Sequence, residues 1–240
     1  MNRLIAGSFF AVNLQTINKN MLQLSTIKFL QQLEKNNNRA WFEDNRKKYE
    51  DAKADFLIMV EHLLPAIATF DPSIADQQAK NCTFRINRDV RFSKNKSPYK
   101  NNMAAYFNRL GKKGIGAGYY VHVEPGKSFL AAGIWMPEAA DLAKIRQEID
   151  YNLNEWKKML SSPAFKKNFN SGLDTSNILV RPPKGYTEDN PALAFLKLKS
   201  FVVRSPVDDS EVTEKGFVKK VAKVLQASKP LVTFLNRAID

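Results

Sequence analysis

The fold turns on the stretch Tyr119-Tyr120-Val121-His122-Val123-Glu124-Pro125-Gly126-Lys127-Ser128-Phe129-Leu130-Ala131-Ala132-Gly133-Ile134-Trp135-Met136. Residues 119–124 and 128–136 are β-rich runs, and Pro125-Gly126-Lys127 between them has the composition of a tight hairpin turn. So short a connection cannot cross over a sheet, so the two runs must pair antiparallel. Two more β-rich runs come before them, 83–92 and 102–108, the second joined to residue 119 through the glycine-rich segment 111–118. The expectation is an antiparallel β-meander, with residues 200–204 as one further strand.

Helical periodicity brackets these runs. Ser25 can cap a helix that carries Ile27, Leu30 and Leu33, and the asparagines at 36–38 stop it. A longer helix is expected over 39–64, with Phe42, Tyr49, Phe56 and Leu63 along one stripe and Pro65 at its end. The pattern resumes over 138–160 on Leu142, Ile145, Ile149, Leu153 and Trp156, and Ser162-Pro163 opens a short helix. Residues 171–190, with Arg181, Lys184 and Tyr186, read as a long surface loop, and helices are expected near 211–226 and 230–239. The fold class is therefore α+β: an antiparallel β-meander flanked by N-terminal and C-terminal helices, forming a single domain over 21–240.

Composition narrows the class of protein. With 240 residues and 44% hydrophobic content the chain can fill a sizeable core, so disorder throughout is excluded. No apolar stretch approaches the roughly 18 residues that cross a bilayer, and no membrane partner is expected. The single cysteine, Cys82, rules out an intramolecular disulfide and fits a reducing cytoplasm. Arg3 followed by apolar residues 4–12 resembles a short export signal without a small-residue cleavage site; residues 1–20 read as a disordered or upstream-start extension, with Met21 as the ordinary start. His62, His122 and Cys82 lack metal-ligand spacing, and 111–118 lacks the spacing of phosphate- or dinucleotide-binding loops, so neither metal nor cofactor is expected.

Charge points to one region. Residues 80–127 carry 11 Lys and Arg against 2 Asp and Glu, whereas residues 1–79 carry 9 of each. Such clustering suggests an anionic ligand or partner. Within it, residues 85–92 alternate as a strand would, with Phe84, Ile86, Val90 and Phe92 on one face and Arg85, Asn87, Asp89 and Arg91 on the other. Asp89 can hold one arginine in a fixed fork and leave another free for a phosphate or carboxylate. Arg88 interrupts the apolar face and needs a partner, a groove or a strand end. The turn that follows gathers Asn95, Lys96 and Tyr99, and Pro98 denies it regular pairing.

Arg85, Arg88-Asp89, Arg91-Phe92, Asn95-Lys96 and Tyr99 together resemble the bacterial family catalogued as domain of unknown function 2461. The similarity extends to Asn37-Asn38-Arg39, Trp41-Phe42, Gly118-Tyr119-Tyr120, Gly133-Ile134-Trp135-Met136-Pro137 and Leu198-Lys199-Ser200-Phe201, over about residues 22–238. It implies a shared fold and carries over no activity.

The leading expectation is an anion-binding domain. In it Arg85, Arg88, Arg91 and Lys96 contact a phosphate-bearing ligand or nucleic acid, Asp89 orients the arginines, and Asn95 and Tyr99 shape the site. Tyr99, Tyr106, Phe107, Tyr119 and Tyr120 are interleaved with the basic segment and could stack bases on a sheet face. The alternatives are an enzyme acting on a phosphorylated or carboxylated small molecule, with Asp89 as acid or base, and a structural or interaction module in which the motif is scaffold.

Overall fold

The computed structural model describes residues 21–240; the reading of residues 1–20 lies outside them. Helix α1 (Leu24–Lys35) buries Ile27, Phe29, Leu30 and Leu33. The helix expected over 39–64 is two. Asn38 caps α2 (Arg39–Asp44) by accepting the Trp41 N–H, and Asn45 ends it by donating from Nδ2 to the Trp41 carbonyl at 2.9 Å. Helix α3 (Arg46–Ala68) then starts afresh and runs through Pro65 instead of stopping there. Pro65 and Glu61 both lie on the exposed side, so the carbonyl that Pro65 cannot satisfy faces water.

After the short α4 (Ala79–Cys82) the chain enters the sheet through β1 (Met103–Phe107), β2 (Gly118–Val123) and β3 (Phe129–Ile134). Helices α5 (Ala139–Tyr151), α6 (Leu153–Ser161), α7 (Pro163–Asn168) and α8 (Leu193–Leu196) follow. The chain returns as β4 (Phe201–Pro206) and ends in α9 (Asp209–Val212), α10 (Phe217–Gln226) and α11 (Lys229–Ile239). Two expected helices are thus each broken: 138–160 at Asn152, and 211–226 ahead of Gly216, whose φ is +90°. The strands form one antiparallel sheet in the order β1-β2-β3-β4, and with helices at both ends the protein is α+β.

Strand alternation sorts the sheet into two unlike faces. Ala105, Phe107, Tyr119, Val121, Leu130 and Val203 are buried on the face that meets α3, α10 and α11. Each large side chain sealed there contributes roughly 1.5–3 kcal/mol. A polar knot ties that face to its surroundings: Tyr119 donates its hydroxyl to Asp71 at 2.7 Å, and Lys229 of α11 pairs with the same carboxylate at 2.8 Å.

The run 83–92 is not a strand. Only isolated bridges, Thr83 to Ala105 and Asn87 to Tyr99, connect it to neighbours, and it folds with 93–100 into an irregular arm beside β1. The expected common face of Phe84, Ile86, Val90 and Phe92 does not form: Ile86 is buried while Phe92 is 97% exposed. Local side chains capture the backbone that a ladder would need. Asp89 Oδ1 accepts the Arg91 N–H at 3.3 Å and Asn95 Oδ1 accepts that of Ser97 at 2.9 Å, while Pro98 offers no donor.

Candidate functional site

The arm uses most of its polar groups on itself. Arg91 forks onto Asp89, Nε to Oδ1 at 3.0 Å and Nη2 to Oδ2 at 2.7 Å, and these bonds hold the Asp89 carboxyl below the usual carboxylate range. Arg88 donates to the Ser97 carbonyl at 3.0 Å and to Ser93 Oγ at 3.3 Å, and Lys96 caps the carbonyls of Val90 and Arg91 at 3.0 and 3.4 Å. Tyr99 belongs to the core, with its ring stacked on Phe42 at 3.9 Å between centroids. Arg88 and Arg91 are thus spent on different partners within the arm, and Arg85 lies close enough to Asp89 to help lower its carboxyl. Arg85 alone among the three is exposed without a hydrogen bond from its guanidinium among the described residues.

Arg85 also acts on Lys100, one of two lysines beside the Phe84 ring. Lys100 Nζ donates to the Arg85 carbonyl at 2.9 Å and Lys112 Nζ to the Thr83 carbonyl, so both ammonium groups are held beside the intervening phenyl ring. They lie 5.6 and 5.9 Å from its centroid. Burial, and then the charges of Arg85 and Lys112, push the Lys100 pKa down. Like charges crowd this corner, and an anion would relieve them.

Phe84 also stands at the rim of a groove of about 580 Å³ on the face of the sheet away from the helices. Cross-strand register builds it. Tyr106, Tyr120, Ala131 and Arg204 sit opposite one another on β1 to β4, and Gly118, Gly133 and Val202 form the adjoining row. The floor is low because a Cβ at Gly133, where φ is +119°, would lie 1.9 Å from the Phe201 carbonyl oxygen. The walls are Phe84, Tyr106, Phe129, Trp135 and Met136. Arg204 lies over Phe129 and Trp135, 5.3 and 5.7 Å from their centroids, and pairs with Asp174 at 3.0 Å. The glycine-rich segment 111–118 forms one lip. It is held by Asn108, which donates to the Gly116 carbonyl at 3.1 Å, and by Asn236 of α11, which accepts the Ala117 N–H at 2.8 Å.

A hydrogen-bonded chain runs along the same face of β2. Tyr120 Oη is 3.1 Å from His122 Nδ1, and His122 Nε2 is 2.9 Å from Glu124 Oε2. Because the carboxylate can only accept, Nε2 carries the hydrogen, leaving Nδ1 to accept from the phenol. Glu124 Oε1 in turn accepts from Asn101 at 3.2 Å. Burial, opposed by the Arg204 charge, pushes the Tyr120 phenol up to about 12.

Of the residues singled out from sequence, Tyr106 and Tyr120 line the groove, and Arg85 follows Phe84, which lines it too. Arg88, Asp89, Arg91, Asn95 and Lys96 hold the arm together, and Phe107 and Tyr119 point into the core. Sequence reasoning missed Lys100, Lys112, His122, Glu124 and Arg204. The period-two spacing of Tyr120, His122 and Glu124 is a signal that could have found three groups on one face. Cys82 is fully buried, which pushes its thiol up to about 11. Among the described residues no cluster of three His, Cys, Asp or Glu could hold a metal, and no helix is long and apolar enough to cross a membrane.

Fold and site together define an α+β protein whose helices cover one face of a four-stranded antiparallel sheet and leave an aromatic groove on the other. The chain belongs to the family described as Conserved hypothetical protein (DUF2461), whose model matches residues 25–234. No curated protein and no solved structure matches it.

Proposed function

We propose that the protein binds a phosphate-bearing ligand with a planar ring, of the nucleotide type, on the open face of the sheet. The ring lies in the groove against Tyr106, Tyr120 and Phe84, where flat apolar walls offer stacking surface. The phosphate sits at the corner where Arg85, Lys100 and Lys112 crowd around Phe84. The single observation that carries the reading is the pair Lys100 and Lys112 beside Phe84, without an ion-pair partner among the described residues, with Phe84 and Lys112 both lining the aromatic groove. In this reading the remaining motif residues, Arg88, Asp89, Arg91, Asn95 and Lys96, act by fixing the arm that presents Phe84 and Arg85.

Trp135 is the exposed tryptophan on the groove wall, and its fluorescence reports occupancy. Titration with ATP and, separately, with an oligothymidylate should quench it, and Trp135→Phe should remove the signal. Binding of ATP alone identifies a mononucleotide ligand. Binding of the oligomer with a logarithmic salt slope of about −2, from three phosphate contacts at roughly −0.7 each, identifies single-stranded nucleic acid. No quenching by either overturns the reading.

A further inference from the structure

The chain from Tyr120 through His122 to Glu124 has the three parts of an activated nucleophile: a hydroxyl, a base within hydrogen-bond reach of it, and a carboxylate that fixes the base's tautomer. All three side chains are mostly shielded from water, and the hydroxyl belongs to a residue that lines the groove. The phenol is a poor nucleophile while it keeps its proton, so it needs such a base. Across the row, Ala131 separates Tyr120 from Arg204, leaving a notch with a phenol on one side and a guanidinium on the other.

We infer that Tyr120 is a nucleophile toward the phosphorus of a phosphate ester lying over Ala131, with His122 as its base and Glu124 as the group that orients the base. The inference rests on the phosphate-ligand reading above and adds a second phosphate to it: the ester that reacts is distinct from the phosphate at the Arg85, Lys100 and Lys112 corner and lies on the Ala131 side of Tyr120, as in a ligand that carries more than one phosphate. In the first step the Tyr120 oxygen bonds to phosphorus, the phenolic proton passes to His122 Nδ1, and the bond from phosphorus to the leaving oxygen breaks. The leaving alcohol takes that proton from His122. In the second step His122 takes a proton from water, the resulting hydroxide attacks phosphorus, and the bond to Tyr120 breaks. The released phenolate recovers the proton from His122, so the net change is hydrolysis of one phosphate ester bond by one water. Arg204 offsets the negative charge on the phosphoryl oxygens while phosphorus is five-coordinate. Glu124, hydrogen-bonded to His122, stabilises the imidazolium that forms transiently within each step.

Diisopropyl fluorophosphate presents an electrophilic phosphorus and a good leaving group without requiring the natural substrate. Attack by Tyr120 forms the oxygen–phosphorus bond and expels fluoride, and the phenolic proton leaves through His122. Peptide mass spectrometry should find one adduct, on Tyr120, and none at that position in Tyr120→Phe. His122→Gln keeps a side-chain acceptor near the phenol but removes the base. It should label about a hundredfold more slowly while retaining the wild-type circular dichroism spectrum, a split that a merely structural hydrogen bond would not produce. No adduct on Tyr120, or labelling of His122→Gln at the wild-type rate, overturns the inference. The reagent lacks a nucleotide ring, so labelling without Trp135 quenching by ATP or oligothymidylate would overturn the binding reading alone. Quenching without labelling would overturn the nucleophile alone.

Discussion

Asn37 holds Tyr99 by both sides of its backbone, Nδ2 donating to the carbonyl at 3.0 Å and Oδ1 accepting the N–H at 3.1 Å across 62 residues of chain. One amide thus mimics a strand neighbour and docks the base of the arm onto the α1–α2 turn, where Phe42 stacks on the same tyrosine. Asn37→Ala removes both bonds and should cost about 2 kcal/mol, at roughly 1 kcal/mol each. Urea denaturation measures the loss. Faster amide exchange at Arg88 and Lys100, whose N–H groups close the arm, should accompany it.

The motif arginines should separate by experiment. Arg88→Ala frees the Ser97 carbonyl and Ser93 hydroxyl and should lower stability by about 1 kcal/mol. Arg85→Ala removes an exposed side chain and should leave stability within about 0.5 kcal/mol of the parent. It should nevertheless weaken the ATP or oligothymidylate titration. The pair of thermal melts and titrations distinguishes scaffold from contact residue.

Gly133→Ala tests the groove floor. Its Cβ would collide with the Phe201 carbonyl at a φ of +119°, so β3 and β4 must part or bend. A loss of about 3 kcal/mol or more is expected, read as a lowered thermal midpoint or failure to fold.

Asp71 links stability to acid. Burial raises its pKa, but hydrogen bonds from Lys229, Ser73 and Tyr119 outweigh burial and hold it below the ordinary value. The carboxylate's contribution is complete above the unfolded pKa, about 3.9, and fades as pH falls through the lower folded value. Asp71→Asn should cost roughly 3 kcal/mol at neutral pH, because Lys229 loses its partner. The variant should also show a shallower decline in stability below about pH 4. Denaturant midpoints from pH 7 to pH 2 measure both.

How far these features could be read beforehand follows from how local their causes are. Pro125-Gly126-Lys127 announces its hairpin because turn chemistry is local, and Gly126 adopts the φ of +71° that the turn demands. The helical stripes were legible for the same reason. The breaks at Asn45 and Asn152 were not, since an asparagine inside an apolar period reads as an exposed helical position until its side chain finds a partner one turn back, the Trp41 carbonyl for Asn45 and the Glu148 carboxylate for Asn152. The arm was misread as a strand because its alternation is real while its ladder partner is missing. The site was only half legible. Arg204 and Tyr120 are separated by 84 positions and meet only through strand register. Lys100 and Lys112 were counted in the basic segment, yet their convergence on Phe84 depends on the fold of the arm.

The central claim is that a phosphate-bearing ring lies on the open sheet face and not along the arginine arm. Heteronuclear NMR of the full chain, titrated with ATP and with an oligothymidylate, tests it most directly. The account predicts the largest shifts at Phe84, Lys112, Tyr120 and Trp135, with Arg88 to Lys96 nearly still. Shifts confined to that arm, or none with either ligand, would contradict it.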